Sequence, residues 1–428
     1  MKTEKIKPSL KFKGSPSIPG DKSISHRGLI FGALAEGGTT TIENLLESGD
    51  VQSTARVLMQ LGVKIKKENG LTLVEGLGHN NFKVPKEVLD CGNSGTTMRL
   101  MMGALSSIHG MKATLTGDES LVKRPMKRVA ESLRFMGSTI TMKEDNFAPL
   151  EVHGDVLRGI DYELKIASAQ IKTAIILAAI FADGKTRITG EIHSRDHTER
   201  LLSHFGVNIK SSPTDVLVEG GQKFKANKLK VPSDPSTAAF WLAGASLVKG
   251  SELLLKNVSL NPTRIGFIRV LERMGGKVTM KMTEKDPEPI GDITCGYAGL
   301  KGITIEEAEV PSLIDELPVL SVLASQAQGR TVVTGAEELR VKETDRIEAL
   351  ATNLRAMGIQ IETTPDGFII EGPQKLKGAK IDSFHDHRIA MAFSIAGLVA
   401  EGETIIENAD CVGISYPEFF TTLQKLTS

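Results

Sequence analysis

One arrangement of apolar and polar positions recurs six times along the chain. It opens with a run that is apolar on almost every side: "RGLIFGALAEG", "TTMRLMMGALSS", "IKTAIILAAIFADG", "STAAFWLAGASLVKG", "LPVLSVLASQAQG" and "RIAMAFSIAGLVAEG". Runs of this length, rich in Ala, Leu and Met, predict buried helices. A short stretch dense in β-branched residues follows each one, as in "TTTIEN", "ATLTGD", "TRITGE", "ELLLKN", "TVVTGA" and "ETIIEN", and predicts a strand. A second, amphipathic helix comes next. In five copies it runs into an apolar residue, a glycine and an aliphatic strand: "LGVKI", "MGSTI", "FGVNI", "MGGKV" and "MGIQI". The glycines are Gly62, Gly137, Gly206, Gly275 and Gly358, spaced by 75, 69, 69 and 83 residues, and each sits where a helix is expected to stop. The sixth copy closes the chain at "YPEFFTTLQKL".

A repeat this regular predicts repeated architecture. The period is long for a solenoid, and each copy holds two helices and its own strands. Three copies sharing a core, twice over, give two similar α/β domains. The stretch "KFKANKLKVPSDPS" (223–236), between the third and fourth copies, is the expected boundary.

Composition narrows the class. The 428 residues, 40% of them apolar, suffice for two large cores. Fifty-two basic residues balance fifty-two acidic ones, which argues against nucleic-acid or membrane-surface binding as a whole-chain property. Any anion site must therefore be local. Cys91, Cys295 and Cys411 are widely spaced, with no C-x-x-C pair, so a reducing cytoplasm is expected and a disulfide framework or cysteine zinc site is not. "MKTEKIKPSLKFKG" has no apolar leader core, and no apolar run is long enough for a membrane span.

Charge does concentrate at the predicted helix starts. The first helices begin at "GDKSISHR", "CGNSGTTMR", "IASAQIK", "PSDPSTAAF", "LIDELP" and "FHDHRIAM". Capping accounts for serines and aspartates there. It does not account for Lys22, Arg27 or Arg388, because a cation at a helix N-terminus opposes the macrodipole by roughly 0.3–1 kcal/mol. An anionic ligand offsets that cost, and helix N-termini with nearby Lys and Arg are ready anion sites. The second helices repeat the theme with Arg124, Arg195, Arg264, Lys342 and Arg346. The expectation is a cationic site for a small polyanion inside a neutral chain. Asp21 separates Gly20 from Lys22, so "GDKS" is not a Walker loop, and no G-x-G-x-x-G follows a strand. "RVKETDR" also reads as an exposed helix, "DEL" (315–317) as dipole compensation, and "HDH" (385–387) as structural rather than metal-binding. Cys91 and the Met98, Met101, Met102 set read as core.

In order, "PGDKSISHR", "CGNSGTTMRLM", "GDESLVKRPMKR", "SAQIKTA", "RVKETDRI" and "DHRIAMAF" resemble the 5-enolpyruvylshikimate-3-phosphate synthase family, the 3-phosphoshikimate 1-carboxyvinyltransferases, over essentially the whole length. The resemblance implies an α/β fold of two domains, each of three βαβαββ repeats, spanning 21–232 and 1–20 with 233–428, the active site lying in the cleft between them. It implies transfer of the enolpyruvyl group of phosphoenolpyruvate to the 5-hydroxyl of shikimate 3-phosphate, with no metal, no cofactor, no nucleic-acid or membrane partner, and a monomer. It further implies that Lys22, Ser23, Arg27, Ser168, Ala169, Gln170, Ser194, Asp315 and Lys342 hold shikimate 3-phosphate. Lys22, Asn93, Gly95, Arg124, Gln170, Arg346 and Arg388 would hold phosphoenolpyruvate. Asp315 would act as base on the attacking hydroxyl, Lys342 assisting, with Glu343 and Lys22 handling protons at the enolpyruvyl carbon.

The match has departures. Ile414 stands where many members carry a lysine, and Ala169 where many have a second serine. "GDKS", "SAQIK", "RDHTE" and "NPTR" are similar to the glyphosate-tolerant subgroup, so partial tolerance is expected, with Gly95 retained. The sister transferase acting on UDP-N-acetylglucosamine is the nearest alternative; it uses a loop cysteine where this chain has "SLVKRP". A ring-shaped repeat scaffold is the non-enzymatic alternative, and the unlike helix starts argue against it.

Overall fold

The computed structural model describes residues 2–428. Its helices alternate in character: α1 (Lys22–Leu34), α2 (Gly49–Gln60), α3 (Gly95–Ser106), α4 (Lys127–Phe135), α5 (Ala169–Ala179), α6 (His197–His204), α7 (Pro235–Leu247), α8 (Gly266–Arg273), α9 (Leu317–Gln326), α10 (Arg346–Ala356), α11 (His387–Gly397) and α12 (Phe419–Thr427). The odd-numbered helices are buried over almost their whole length, as their apolar sequences require. Their few charged side chains (Lys22, Arg27, Arg99, Lys172 and Arg388) all lie in the first two turns. The even-numbered helices bury one side only. Gly62, Gly137, Gly206, Gly275 and Gly358 end α2, α4, α6, α8 and α10 with φ between +84° and +111°, the left-handed backbone that glycine adopts without steric cost.

The sheets share one plan. Leu89–Asp90 runs parallel to Lys112–Thr116, the strand reached through α3; Phe147–His153 and then Thr139–Lys143 add antiparallel beyond it. A parallel pair needs a crossover of this kind, and α3, α5, α9 and α11 each supply one. The sheets built on Lys185–Gly190 and Gly329–Val333 repeat the order. The remaining three are completed by segments distant in sequence. Lys228–Lys230 lies parallel to Glu36–Glu43, with Lys228 opposite Thr41. Lys13–Gly14 lies parallel to Glu252–Ser259, and Glu4–Ile6 pairs antiparallel with Thr404–Glu407. The stretch read from sequence as a boundary thus contains a strand of the first sheet.

The chain divides into two compact units, Gly20–Val231 and Pro232–Ser428 together with the N-terminal segment up to Pro19, each with its own apolar core. In Gly20–Val231, α3 packs on α1 and α5. At Gly103 the backbone of α3 comes close to that of α5: an added Cβ would lie 2.3 Å from the Ala174 carbonyl oxygen. In the other unit α7, α9 and α11 pack on one another. The Trp241 ring of α7 stacks on Phe419 of α12 at 4.8 Å, and Ile6, Phe12 and Ile18 join that core from the N-terminal segment. Among the described residues no helix is long and apolar enough to cross a membrane.

Candidate active site

Capping is realised as the sequence implies, and it sorts the polar residues at the helix starts. Asp21, Ser94, Ser168, Asp234 and Asp386 cap α1, α3, α5, α7 and α11, each accepting a hydrogen bond from a backbone N–H of the first turn. The cations beside them are held by side-chain networks.

In Gly20–Val231, Lys22 at the start of α1 sits 3.2 Å from the Asp50 carboxylate, at the start of α2, with both groups largely buried. Arg27 is 2% exposed; its guanidinium donates to the Ser23 carbonyl and to Thr173 Oγ1 and Thr198 Oγ1 at 2.7–2.9 Å. Arg195 donates to Ser23 Oγ at 3.4 Å. The close packing at Gly103 sets the starts of α3 and α5 side by side. Gln170 accepts from Arg99 at 2.6 Å and donates to Thr96 at 2.9 Å. Arg124 donates to Asn93 Oδ1 at 2.9 Å and to the Asn93 carbonyl at 3.3 Å, and Asn93 donates to Asp118 at 2.7 Å. Gly95, the first residue of α3, has no room to spare: a Cβ there would lie 3.0 Å from Arg99 Nη1 and 3.7 Å from Arg124 Nη1. Ser168 and Ala169 open α5, and Ser194 is buried with its hydroxyl unpartnered among the described residues.

In the other unit, Arg346 is 1% exposed and meets three carboxylates: Asp386 at 2.8 Å, Glu343 at 2.7 Å and Asp315 at 3.3 Å. Arg388 donates to the Asp315 carbonyl at 3.1 Å and lies 3.5 Å from its carboxylate. Asp386, Glu343 and Asp315 outweigh the effect of burial and raise the Arg346 guanidinium above its ordinary range, so it is a permanent cation. Lys342 moves the other way: burial lowers its ammonium pKa, opposed by the charges of Asp315 and Glu343. Its proton is therefore held less tightly than an ordinary lysine's.

The structure brings together Asp315, Lys342, Glu343, Arg346 and Arg388 in this unit, and Lys22, Ser23, Arg27 and Arg195 around the start of α1 in the other. Asn93, Gly95, Arg124 and Gln170 gather beside the starts of α3 and α5. Two sequence readings are corrected. "RVKETDR" is not an exposed helix: α10 begins at Arg346 with Asp345 as its cap, so Lys342 and Arg346 are not neighbours on a helix face. "DEL" is only in part dipole compensation: Glu316 stands at the N-cap of α9, while Asp315 precedes it and is held by arginines. Arg264, read from sequence as one more anion-facing cation, is 3% exposed and donates to Asp234 and Ser236 at 3.1 and 3.0 Å. Ile414 closes a short turn, Ala409–Ile414, and is half-buried. His385 is exposed and His387 buried, so the two do not face a common point. Sequence reasoning missed Asp50, Arg99 and Asp386. Asp386 and Arg99 had a signal, since Asp386 stands two residues before Arg388 and Arg99 lies in the helix start "CGNSGTTMR"; Asp50 had none beyond its charge.

The fold is that of the enolpyruvyl transferases: the solved structure of the enolpyruvyl transferase NikO from Streptomyces tendae superposes with a TM-score of 0.78 at 16% identity, covering 99% of this chain and 96% of that one. The match to the family described as EPSP synthase (3-phosphoshikimate 1-carboxyvinyltransferase) spans residues 6–423, and the chain belongs to that family. The 3-phosphoshikimate 1-carboxyvinyltransferase of Persephonella marina is 48% identical over 424 residues, 98% of each chain. The EPSP synthase structure from Acinetobacter baumannii is 42% identical with a TM-score of 0.88, covering all of this chain and 98% of that one.

Proposed function

We propose that the two clusters serve one reaction, in which this chain transfers the enolpyruvyl group of phosphoenolpyruvate to the 5-hydroxyl of shikimate 3-phosphate and releases inorganic phosphate. The hydroxyl adds to C2 of phosphoenolpyruvate while a proton goes to C3, giving a tetrahedral intermediate; phosphate then leaves as a proton departs from C3. The reaction needs a base for the hydroxyl, a proton donor and acceptor for carbon, and fixed cations for two phosphates and two carboxylates.

The observation that carries the reading is the Asp315–Arg346–Glu343 arrangement. One buried guanidinium holds two half-buried carboxylates, with Arg388 on the first of them. Asp315 is the base on the 5-hydroxyl, and Lys342, with its loosened proton, assists it. Glu343 and Lys22 exchange the proton at C3. Arg346 and Arg388, from one unit, and Arg124, Lys22, Asn93, Gly95 and Gln170, from the other, bind phosphoenolpyruvate. Arg suits the bidentate grip on carboxylate and phosphate. Ser23, Arg27, Ser168, Ala169, Gln170, Ser194, Asp315 and Lys342 bind shikimate 3-phosphate; the buried, unpartnered hydroxyl of Ser194 is a donor in want of an acceptor. The enzyme works as a cytoplasmic monomer, in line with cysteines that form no disulfide. Similarity to the glyphosate-tolerant subgroup supports partial tolerance of that inhibitor.

The test is substitution at the two carboxylates. Asp315→Ala and Glu343→Ala are each expected to lose turnover by at least roughly a hundredfold, the scale of general acid–base catalysis. Both should still bind shikimate 3-phosphate, followed by its thermal stabilisation of the protein. Full activity in either variant removes that residue's role.

A further inference from the structure

A chain of buried hydroxyls ends on a histidine that the reaction above does not use. His26 Nδ1 lies 2.7 Å from Thr54 Oγ1, Thr54 Oγ1 lies 2.6 Å from Thr97 Oγ1, and Thr97 Oγ1 donates to Ser94 Oγ at 2.8 Å. All four side chains are fully buried. They join α1, α2 and the start of α3, the three helix starts that carry Lys22, Asp50 and Gly95.

Counting protons fixes the direction of the chain. A hydroxyl has a single hydrogen to donate. The hydrogen of Thr97 goes to Ser94, so Thr97 accepts from Thr54. The hydrogen of Thr54 is then spent, so Thr54 accepts from His26. His26 is therefore the Nδ1–H tautomer, with a bare lone pair on Nε2. That atom is buried without a hydrogen-bond partner among the described residues, where a hydrogen would go unmet. Burial, Lys22 and Arg27 all lower the pKa of this imidazole well below the ordinary histidine value, against a smaller effect of Asp21, so the ring is neutral at pH 7.

The other end of the chain explains why the direction matters. Ser94 Oγ accepts both the backbone N–H of Thr97, as the cap of α3, and the Thr97 hydroxyl. Ser94 lies between Asn93 and Gly95, in a turn closed by hydrogen bonds from Ser94 N to the Cys91 carbonyl and from Gly95 N to the Asn93 carbonyl. Arg124 grips that same Asn93 carbonyl. Ser94 Oγ is thus connected to His26 through Thr97 and Thr54.

We infer that His26, Thr54 and Thr97 are positioning residues for the Asn93–Gly95 turn, holding it at the height that receives the carboxylate and phosphate of phosphoenolpyruvate. The inference rests on the reading that this turn binds phosphoenolpyruvate. All three side chains are fully buried, and none is among the residues proposed to hold substrate. Their effect is selective: affinity for phosphoenolpyruvate depends on them, whereas the shikimate 3-phosphate contacts on α5 and at the start of α1 do not.

Two measurements test this. In the wild-type protein with ¹⁵N-labelled histidine, the His26 ring is expected to show a protonated Nδ1 and an unprotonated Nε2 throughout pH 6 to 8; a protonated Nε2 overturns the assignment. In steady-state kinetics with both substrates, His26→Leu and Thr97→Val should raise KM for phosphoenolpyruvate roughly tenfold, the scale of one buried hydrogen bond. KM for shikimate 3-phosphate should stay within about twofold. Thr97→Ser keeps the hydroxyl and should behave as wild type. His26→Asn places an amide donor where Nδ1–H stood and should restore the wild-type KM, whereas His26→Gln, whose donor lies one bond further out, should not. Equal KM values across the set, or a parallel rise for both substrates, overturn the inference. A wild-type protein inert with both substrates instead strikes at the proposed function and leaves the tautomer measurement standing.

Discussion

Arg346 concentrates the electrostatics of its unit in one side chain. Three carboxylates converge on a guanidinium that is 1% exposed, and Lys342 and Arg388 bring the cations to the same number. Such a cluster is balanced, so its cost is felt only when one member is removed. Arg346→Met leaves Asp386 buried without its partner and is expected to destabilise that unit by about 3–5 kcal/mol. Arg388→Met, at the edge of the same cluster, should cost less. Urea unfolding of the two variants checks this, and an unchanged midpoint for Arg346→Met contradicts the buried-hub description. At this scale the sequence was partly legible. The cations stood out because a lysine or arginine in the first turn of an apolar helix opposes the helix dipole. Their partners did not: nothing near Lys22 in the chain singles out Asp50, because the choice among many carboxylates is made by packing of α1 on α2.

Elements were legible where a residue type has one physical use. The five glycines that end α2, α4, α6, α8 and α10 all take positive φ, and an all-round apolar run can satisfy itself only as a buried helix. Short strands were less legible. Lys13–Gly14 and Lys228–Lys230 are two and three residues long, and what makes them strands is a partner more than 180 residues away. The first lies in the segment 1–20 that family resemblance alone joined to residues 233–428, and the second fell inside the stretch read as a boundary. Packing between elements also positions candidate site residues. Gly103 lets α3 approach α5 closely enough for Arg99 and Thr96 to reach Gln170. Gly103→Ala sets a Cβ against backbone rather than a flexible side chain. The expected cost is about 1–3 kcal/mol of stability. It should also weaken binding of both substrates, because Gln170 is proposed to serve both. Thermal melting and substrate titration read the two effects; wild-type values for both contradict the close approach.

For the whole molecule, acid stability follows from buried histidines. His79 packs its ring face to face on Phe181 at 3.7 Å, and burial lowers its pKa to about 4, from 6.5. His26 is lowered in the same direction. Between pH 6.5 and 4 the unfolded chain takes up a proton at His79 and the folded chain does not, so stability falls as pH falls, by on the order of 3 kcal/mol for His79. His79→Leu should flatten that slope between pH 6.5 and 4 in urea unfolding, and an unaltered slope contradicts the buried neutral state. Under the proposed function, cations from the two compact units act on one pair of substrates. Inorganic phosphate release measures it directly. Release from phosphoenolpyruvate should require shikimate 3-phosphate, and Arg124→Met in one unit and Arg388→Met in the other should each raise KM for phosphoenolpyruvate at least roughly tenfold, the loss of one charge-assisted contact. Phosphate release from phosphoenolpyruvate alone, or a wild-type KM in either variant, contradicts the account.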